Sequence, residues 1–206
     1  MVGGQKRAAW QAASAALACG VTSRSSRSAA ILAFATVLLA AIAILLAMGR
    51  PAICDCGEVR LWGAVGPEQS QMLADWYSAS HVVHGFLFYA VLYLAARRWP
   101  VERRFLAALL VEAAWEIVEN TPLIIDRYRE ATIALGYSGD TVLNSASDIA
   151  MMVLGFLAAR KFPLWASIAL VAALEIVPLL AIRDNLTLNV LMLVAPSDAV
   201  RSWQAG

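Results

Sequence analysis

Charge is what this sequence has least of. Only 15% of its 206 residues are Asp, Glu, Lys or Arg, and 61% are hydrophobic, whereas charged residues make up about a quarter of a soluble domain. That shortage excludes an ordinary water-soluble fold. No long basic or acidic run is present, so the electrostatic footprint of a nucleic-acid binder is missing and no nucleic-acid partner is expected. The three cysteines, Cys19, Cys54 and Cys56, form neither a zinc-ribbon spacing nor a disulfide framework. Residues two apart rarely meet the geometry of an unstrained disulfide, so Cys54 and Cys56 read as loop thiols. Histidine is as scarce as any residue type, with His81 and His84 alone.

What the chain does have is long apolar runs. Ala29 to Met48 is an uncharged stretch of 20 residues, the length that about 30 Å of hydrocarbon requires at 1.5 Å per residue. Further runs of similar length fall at about Trp76 to Ala96, Phe105 to Ile125, Thr141 to Ala159 and Phe162 to Ile182. The expected architecture is all-α, a polytopic membrane bundle of about five transmembrane helices. Leu186 to Val194 is half the required length and is expected to be an interfacial or re-entrant segment. Residues 1–28 read as a disordered tail, a targeting extension or an upstream start, 29–195 as one bundle domain, and 196–206 as a C-terminal tail.

Lys and Arg stay on the cytoplasmic side of short connections. With the N-terminus inside, ten basic residues (Lys6, Arg7, Arg24, Arg27, Arg97, Arg98, Arg103, Arg104, Arg160 and Lys161) fall inside and six outside. A bacterial inner-membrane protein with a cytoplasmic N-terminus is therefore expected. Trp76, Tyr77 and Trp99 stand at span ends, where aromatic residues anchor at the lipid–water interface.

Within these spans lie His81, His84, Glu112, Glu116, Glu119, Asn120, Asn144, Asp148 and Glu175. Each ionisable group there costs at least about 2.5 to 3.5 kcal/mol on insertion scales, so function or an internal partner is the default expectation. Counted from the outer helix ends, His84, Glu116, Glu119, Asp148 and Glu175 fall in one layer, roughly 9 to 14 Å below the periplasmic boundary. Glu112 lies deeper and reads as packing. His81 and His84 share a helical face, as do Glu112, Glu116 and Glu119. Small residues beside them, Gly85, Ser145, Ala146 and Gly155, allow close helix approach.

This pattern supports three chemistries. His81, His84, Glu116 and Asp148 suit one divalent metal, zinc, manganese or iron. The same residues with Glu119 suit general acid and base catalysis. Polar groups that only fix helix packing are the competing explanation. In "DRYREATIALGYSGDTVLNSASD", residues 126–148, the candidates for holding an anionic lipid or lipid-linked substrate are Arg127, Arg129, Tyr137, Asp140 and Asn144.

The stretches "WYSASHVVHGFLFY", "EAAWEIVENTPLIIDRYREATIALGYSGDTVLNSASD" and "GFLAA" resemble an uncharacterised alphaproteobacterial family of multi-pass membrane proteins, domain of unknown function 2585, over about residues 30–195. The resemblance implies an inner-membrane location and no established activity. A looser likeness is VanZ-like, in a His near one helix start and an Asn144 to Asp148 pattern opening a later helix; it is an analogy without functional weight. The leading expectation is a hydrolase or transferase acting in the periplasmic leaflet on a lipid or lipid-linked envelope precursor. The alternatives are a non-enzymatic scaffold or accessory factor and, behind it, a transporter of protons or a small solute.

Overall fold

The computed structural model describes residues 28–66, 68–132 and 136–206. The expectation for residues 1–27 lies outside them. Eight helices follow in order: α1 (Ser28–Ala47), α2 (Ser78–Ala95), α3 (Val101–Glu119), α4 (Pro122–Ala131), α5 (Val142–Lys161), α6 (Leu164–Ile182), α7 (Leu186–Val194) and α8 (Asp198–Ala205). Among the described residues no strand forms, and only an isolated bridge joins Trp62 to Ala74.

Four helices, α1, α2, α5 and α6, are long and apolar enough to cross a membrane. Their outward faces have the composition of a lipid contact: Leu164, Trp165, Ile168 and Leu180 of α6 are all exposed. The third of the five expected spans is corrected. α3 has 19 residues but carries Glu102, Arg103, Arg104, Glu112, Glu116 and Glu119, and it ends at Glu119 rather than Ile125 because Thr121 is extended and Pro122 opens a separate helix. Its exposed face is nonetheless apolar, with Leu106, Leu110, Val111 and Val118, while Glu112 and Glu116 are buried.

Local signals set the other ends. Thr141 caps α5 by accepting from the Asn144 amide at 3.1 Å, and Arg160 and Lys161 close its last turn. Asn185 caps α7 in the same way through the Leu188 amide, 2.8 Å away. The nine-residue α7 is too short to span, as expected. The C-terminal tail is not a loose end: α8 docks its Gln204 amide on Arg183 O and Asp184 Oδ1, both at 3.1 Å. Cys54 and Cys56 are joined by a disulfide, which overturns the expectation of loop thiols; the two Cα atoms are 5.1 Å apart, within bonding range even at this spacing.

α2 and α5 pack most closely, at Gly85 and Gly155. A Cβ at Gly85 would sit 2.2 Å from Met152 O, and one at Gly155 would sit 2.0 Å from Val82 O. Only glycine permits that approach. Around the crossing, Leu109, Ile149, Met152 and Phe156 form the apolar core. Above it, toward the N-terminal ends of α2 and α5 and the C-terminal end of α3, the buried side chains turn polar.

Candidate functional site

The polar end is assembled from three helix faces and one loop. Asp75 organises the entry to α2, accepting from the amides of Ser70 at 2.6 Å and Tyr77 at 2.7 Å. This fixes the first turn, from which Ser78 and His81 point inward, both buried. The loop after α1 braces the start of α5: the Val142 and Leu143 amides donate to Pro51 O and Ala52 O, and the Arg50 guanidinium donates to Asp140 O through Nε and Nη2. Gly139 has φ +86 and lies against that guanidinium, which leaves no room for a side chain.

At the centre, His81 Nδ1 is 2.6 Å from Glu112 Oε1, and His84 Nδ1 is 3.0 Å from Glu112 Oε2. An ionised carboxylate only accepts, so with Glu112 ionised both Nδ1 atoms carry protons, and in the neutral imidazoles each Nε2 then presents a lone pair. His81 Nε2 faces Asp148 Oδ2 at 3.7 Å, and the other Asp148 oxygen accepts from Ser78 Oγ at 2.9 Å. Glu116 is 1% exposed, and neither of its oxygens has a hydrogen-bond partner among the described residues. Its Oε1 lies 3.3 Å from His81 Nδ1, but that proton is directed at Glu112.

Above this group, Asp140 is held by donors on both oxygens: Tyr137 Oη at 2.9 Å and Asn120 Nδ2 at 2.8 Å. Burial raises the Asp140 carboxyl above its ordinary range, against those hydrogen bonds, which lower it. Burial likewise raises the Tyr137 phenol well above its usual value. The Tyr128 hydroxyl stands between Glu119 and Asn189 Oδ1 on α7, the latter at 2.9 Å, and its single proton serves one of the two acceptors at a time.

These groups border a cavity of about 250 Å³. His81, His84, Glu119, Tyr137, Asp140 and Asp148 form its polar wall, and Phe88, Val111, Trp115, Leu186 and Val190 its apolar one. Val111 and Val190 are also half exposed on the outer surface, at 53% and 49%. The cavity thus reaches the bundle's apolar exterior between α3 and α7.

Not every expected residue arrives here. Arg127 spends Nε and Nη2 on Leu193 O, at 2.9 and 2.8 Å, and Arg129 donates to Tyr137 O at 2.6 Å. Neither lines the cavity, and among its described lining residues there is no Lys or Arg. Asn144 is buried on Met72 O at 3.0 Å. Glu175 leaves the expected layer, accepting from Thr187 N and Oγ1 across the α6–α7 turn. Tyr77 is not an interfacial anchor: it is 2.7 Å from Asp184 Oδ2 through its hydroxyl and borders the cavity. The four expected metal donors fall into two overlapping groups, His81, His84 and Glu112, and His81, Glu116 and Asp148, each with donor atoms within 4.8 Å of one another. Glu116, Glu119 and Asp140 form a third such group.

Glu112 is the residue the sequence hides. Counting depth from Ile125 puts it well below the histidines, but the helix ends at Glu119. From there Glu112 lies roughly 10 Å down at 1.5 Å per residue, level with His84 and Asp148. Its three- and four-residue spacing to Glu116 and Glu119 was the available signal.

Fold and site together define a helical membrane-bundle protein with a buried histidine–carboxylate cluster. Residues 45–206 match the family described as a protein of unknown function, DUF2585, and the chain belongs to it. It is similar to a UPF0314 protein of Sphingopyxis alaskensis, 56% identical over 188 residues, which cover 88% of this chain and 97% of that protein. A UPF0314 protein of Novosphingobium aromaticivorans is 52% identical over 194 residues, covering 91% and 98%. One of Paracoccus denitrificans is 54% identical over 174 residues, covering 84% and 90%. No solved structure matches the chain.

Proposed function

We propose that this protein is a hydrolase or transferase of the bacterial inner membrane that acts on a lipid or lipid-linked envelope precursor from the periplasmic side. The observation that carries this is the two-walled cavity: a buried His81–Glu112–Asp148 system on one side and apolar side chains continuous with the exterior on the other. A lipid uses both walls, one for its polar group and one for the start of its chains.

The periplasmic orientation has two supports. The two short connections at the other end of the bundle, α2–α3 and α5–α6, with their flanking turns carry Arg97, Arg98, Arg103, Arg104, Arg160 and Lys161 and a single acid, Glu102. The Cys54–Cys56 disulfide lies in the loop that braces the cavity end of α5, and disulfides persist in oxidising compartments.

In this reading His81, oriented by Glu112, is the general base, and Asp148 stabilises the imidazolium that forms. Glu119 and Tyr128 line the same cavity, where a leaving group would take its proton. Arg127 braces α7 and Arg129 the loop before α5, and neither has a part in holding the headgroup. The test is lipid analysis of a deletion strain complemented with wild type, His81→Gln or Asp148→Asn. Accumulation of one lipid or lipid-linked species in the deletion strain and in both variants is expected. Unchanged lipids in the deletion strain, or full rescue by both variants at equal expression, would refute the enzyme.

A further inference from the structure

Around the cavity the described side chains hold an excess of acid, and no Lys or Arg is among its described lining residues. Glu112 is shared by the two imidazoles, and Asp140 is satisfied by Tyr137 and Asn120. Glu116 has no hydrogen-bond donor: both oxygens are buried, and its nearest nitrogen, His81 Nδ1 at 3.3 Å, gives its proton to Glu112. A buried carboxylate without a hydrogen-bond partner costs several kcal/mol if ionised. Glu116 faces His81 and Asp148, and this grouping has further features of a ligand set.

The first is the free lone pair of His81. Glu112 accepts from Nδ1–H at 2.6 Å, which in the neutral ring leaves Nε2 as the electron-pair donor. A carboxylate behind a histidine in this way is the usual outer-shell support of a metal-binding imidazole. The second is Asp148. Ser78 Oγ occupies Oδ1 at 2.9 Å, so the free oxygen is Oδ2, the one facing His81 Nε2 at 3.7 Å. That separation is too long for a hydrogen bond. It is near the roughly 3.4 Å between two donors bound at about 2.1 Å in a tetrahedral shell.

The two other acidic groupings are weaker on the same criteria. In His81, His84 and Glu112 the carboxylate oxygens are already engaged by both imidazoles. In Glu116, Glu119 and Asp140 two of the three carboxylates already accept from tyrosine or asparagine.

We infer that His81 Nε2, Glu116 and Asp148 Oδ2 bind one divalent metal ion of the zinc or manganese class, with Glu112 and Ser78 as positioning residues and an open coordination position toward the cavity. The ion would balance the carboxylates and give an anionic headgroup a positive charge in a cavity whose described lining residues include neither Lys nor Arg. Its catalytic use rests on the enzyme proposed above, with His81 then a ligand of the ion and its general-base role passing to a group on the ion's open position; its binding does not rest on it.

The experiment is elemental analysis and metal titration of the full chain purified in detergent, stripped with chelator and reloaded with zinc or manganese alone, following thermal unfolding as a second readout. One equivalent per chain and a metal-dependent rise in unfolding temperature are expected. Glu116→Gln and Asp148→Asn should each abolish stoichiometric binding, and Glu112→Gln should weaken it 10- to 100-fold. His84→Ala should retain one equivalent, as should Glu119→Gln. Absence of stoichiometric metal from the wild type with both ions overturns the inference. So does loss of metal in His84→Ala or Glu119→Gln with retention in Glu116→Gln, which would move the ion to another grouping. Metal absent while His81→Gln still fails to rescue the deletion strain removes the metal and keeps the enzyme. Metal present while His81→Gln and Asp148→Asn both rescue removes the enzyme and keeps the site.

Discussion

The two ends of α2, α3 and α5 are buried alike and built oppositely. At one end Leu109, Ile149, Met152 and Phe156 interlock, with Tyr89 and Phe105 edge-on to the Phe156 ring at 5.2 and 5.5 Å. At the other, beyond the Gly85–Gly155 crossing, His81, Glu112, Glu116, Asn120 and Asp148 occupy the equivalent interior. Shape complementarity holds the first end. The second is held by hydrogen bonds that leave Glu116 without a partner. Packing alone would be served better by apolar residues, since replacing buried ion pairs with well-packed hydrophobes is often neutral or stabilising. The polar end is therefore the half whose composition stability does not explain.

The comparison breaks most completely at the hinge between the halves. Gly155→Leu drives a side chain into Val82 O and should prevent assembly of the bundle, seen as loss of monodisperse protein in detergent. Within the apolar half, Phe156→Ala should cost about 3 to 5 kcal/mol, measured by reversible unfolding, because the fully buried ring leaves a cavity that its neighbours cannot fill. The polar half should respond with the opposite sign. Glu116→Met, of similar volume, should raise the stability of the metal-free chain by about 1 kcal/mol while abolishing function in the deletion strain. A loss as large as that of Phe156→Ala would instead make Glu116 a structural residue.

The smallest effect is one of pH. Burial holds the Asp140 pKa above that of the unfolded chain, so the native state binds more protons there, and stability falls as pH rises from about 3.9 through the native value. Asp140→Asn should flatten that slope, read as unfolding temperature against pH in detergent, and leave the remaining profile unchanged.

Several features were legible one helix at a time. Apolar length identified α1, α2, α5 and α6, three- and four-residue spacing put His81 with His84 and Glu112 with Glu116, and Gly85 and Gly155 marked a close approach. The errors arose where the chain leaves a helix. The end of α3 was placed at Ile125 because Pro122, Leu123, Ile124 and Ile125 are apolar, although Pro122 favours a first helical turn over a later one. That displacement hid Glu112. Arg127 and Arg129 were assigned to the cavity because they follow it in sequence, yet the reach of a guanidinium also takes in Leu193 O and Tyr137 O.

The sequence by itself determined the class of solvent, the helices and the polar faces, because hydrophobic length and helical period are properties of each segment alone. Only the tertiary structure decided which carboxylate each histidine meets, that among the described residues Glu116 stands beside Asp148 without a hydrogen-bond donor, and that no arginine is among the described residues lining the cavity. Those outcomes depend on the register between helices and on where α3 stops. A displacement of one turn, about 5.4 Å, exchanges every partner while leaving each helix's own pattern intact.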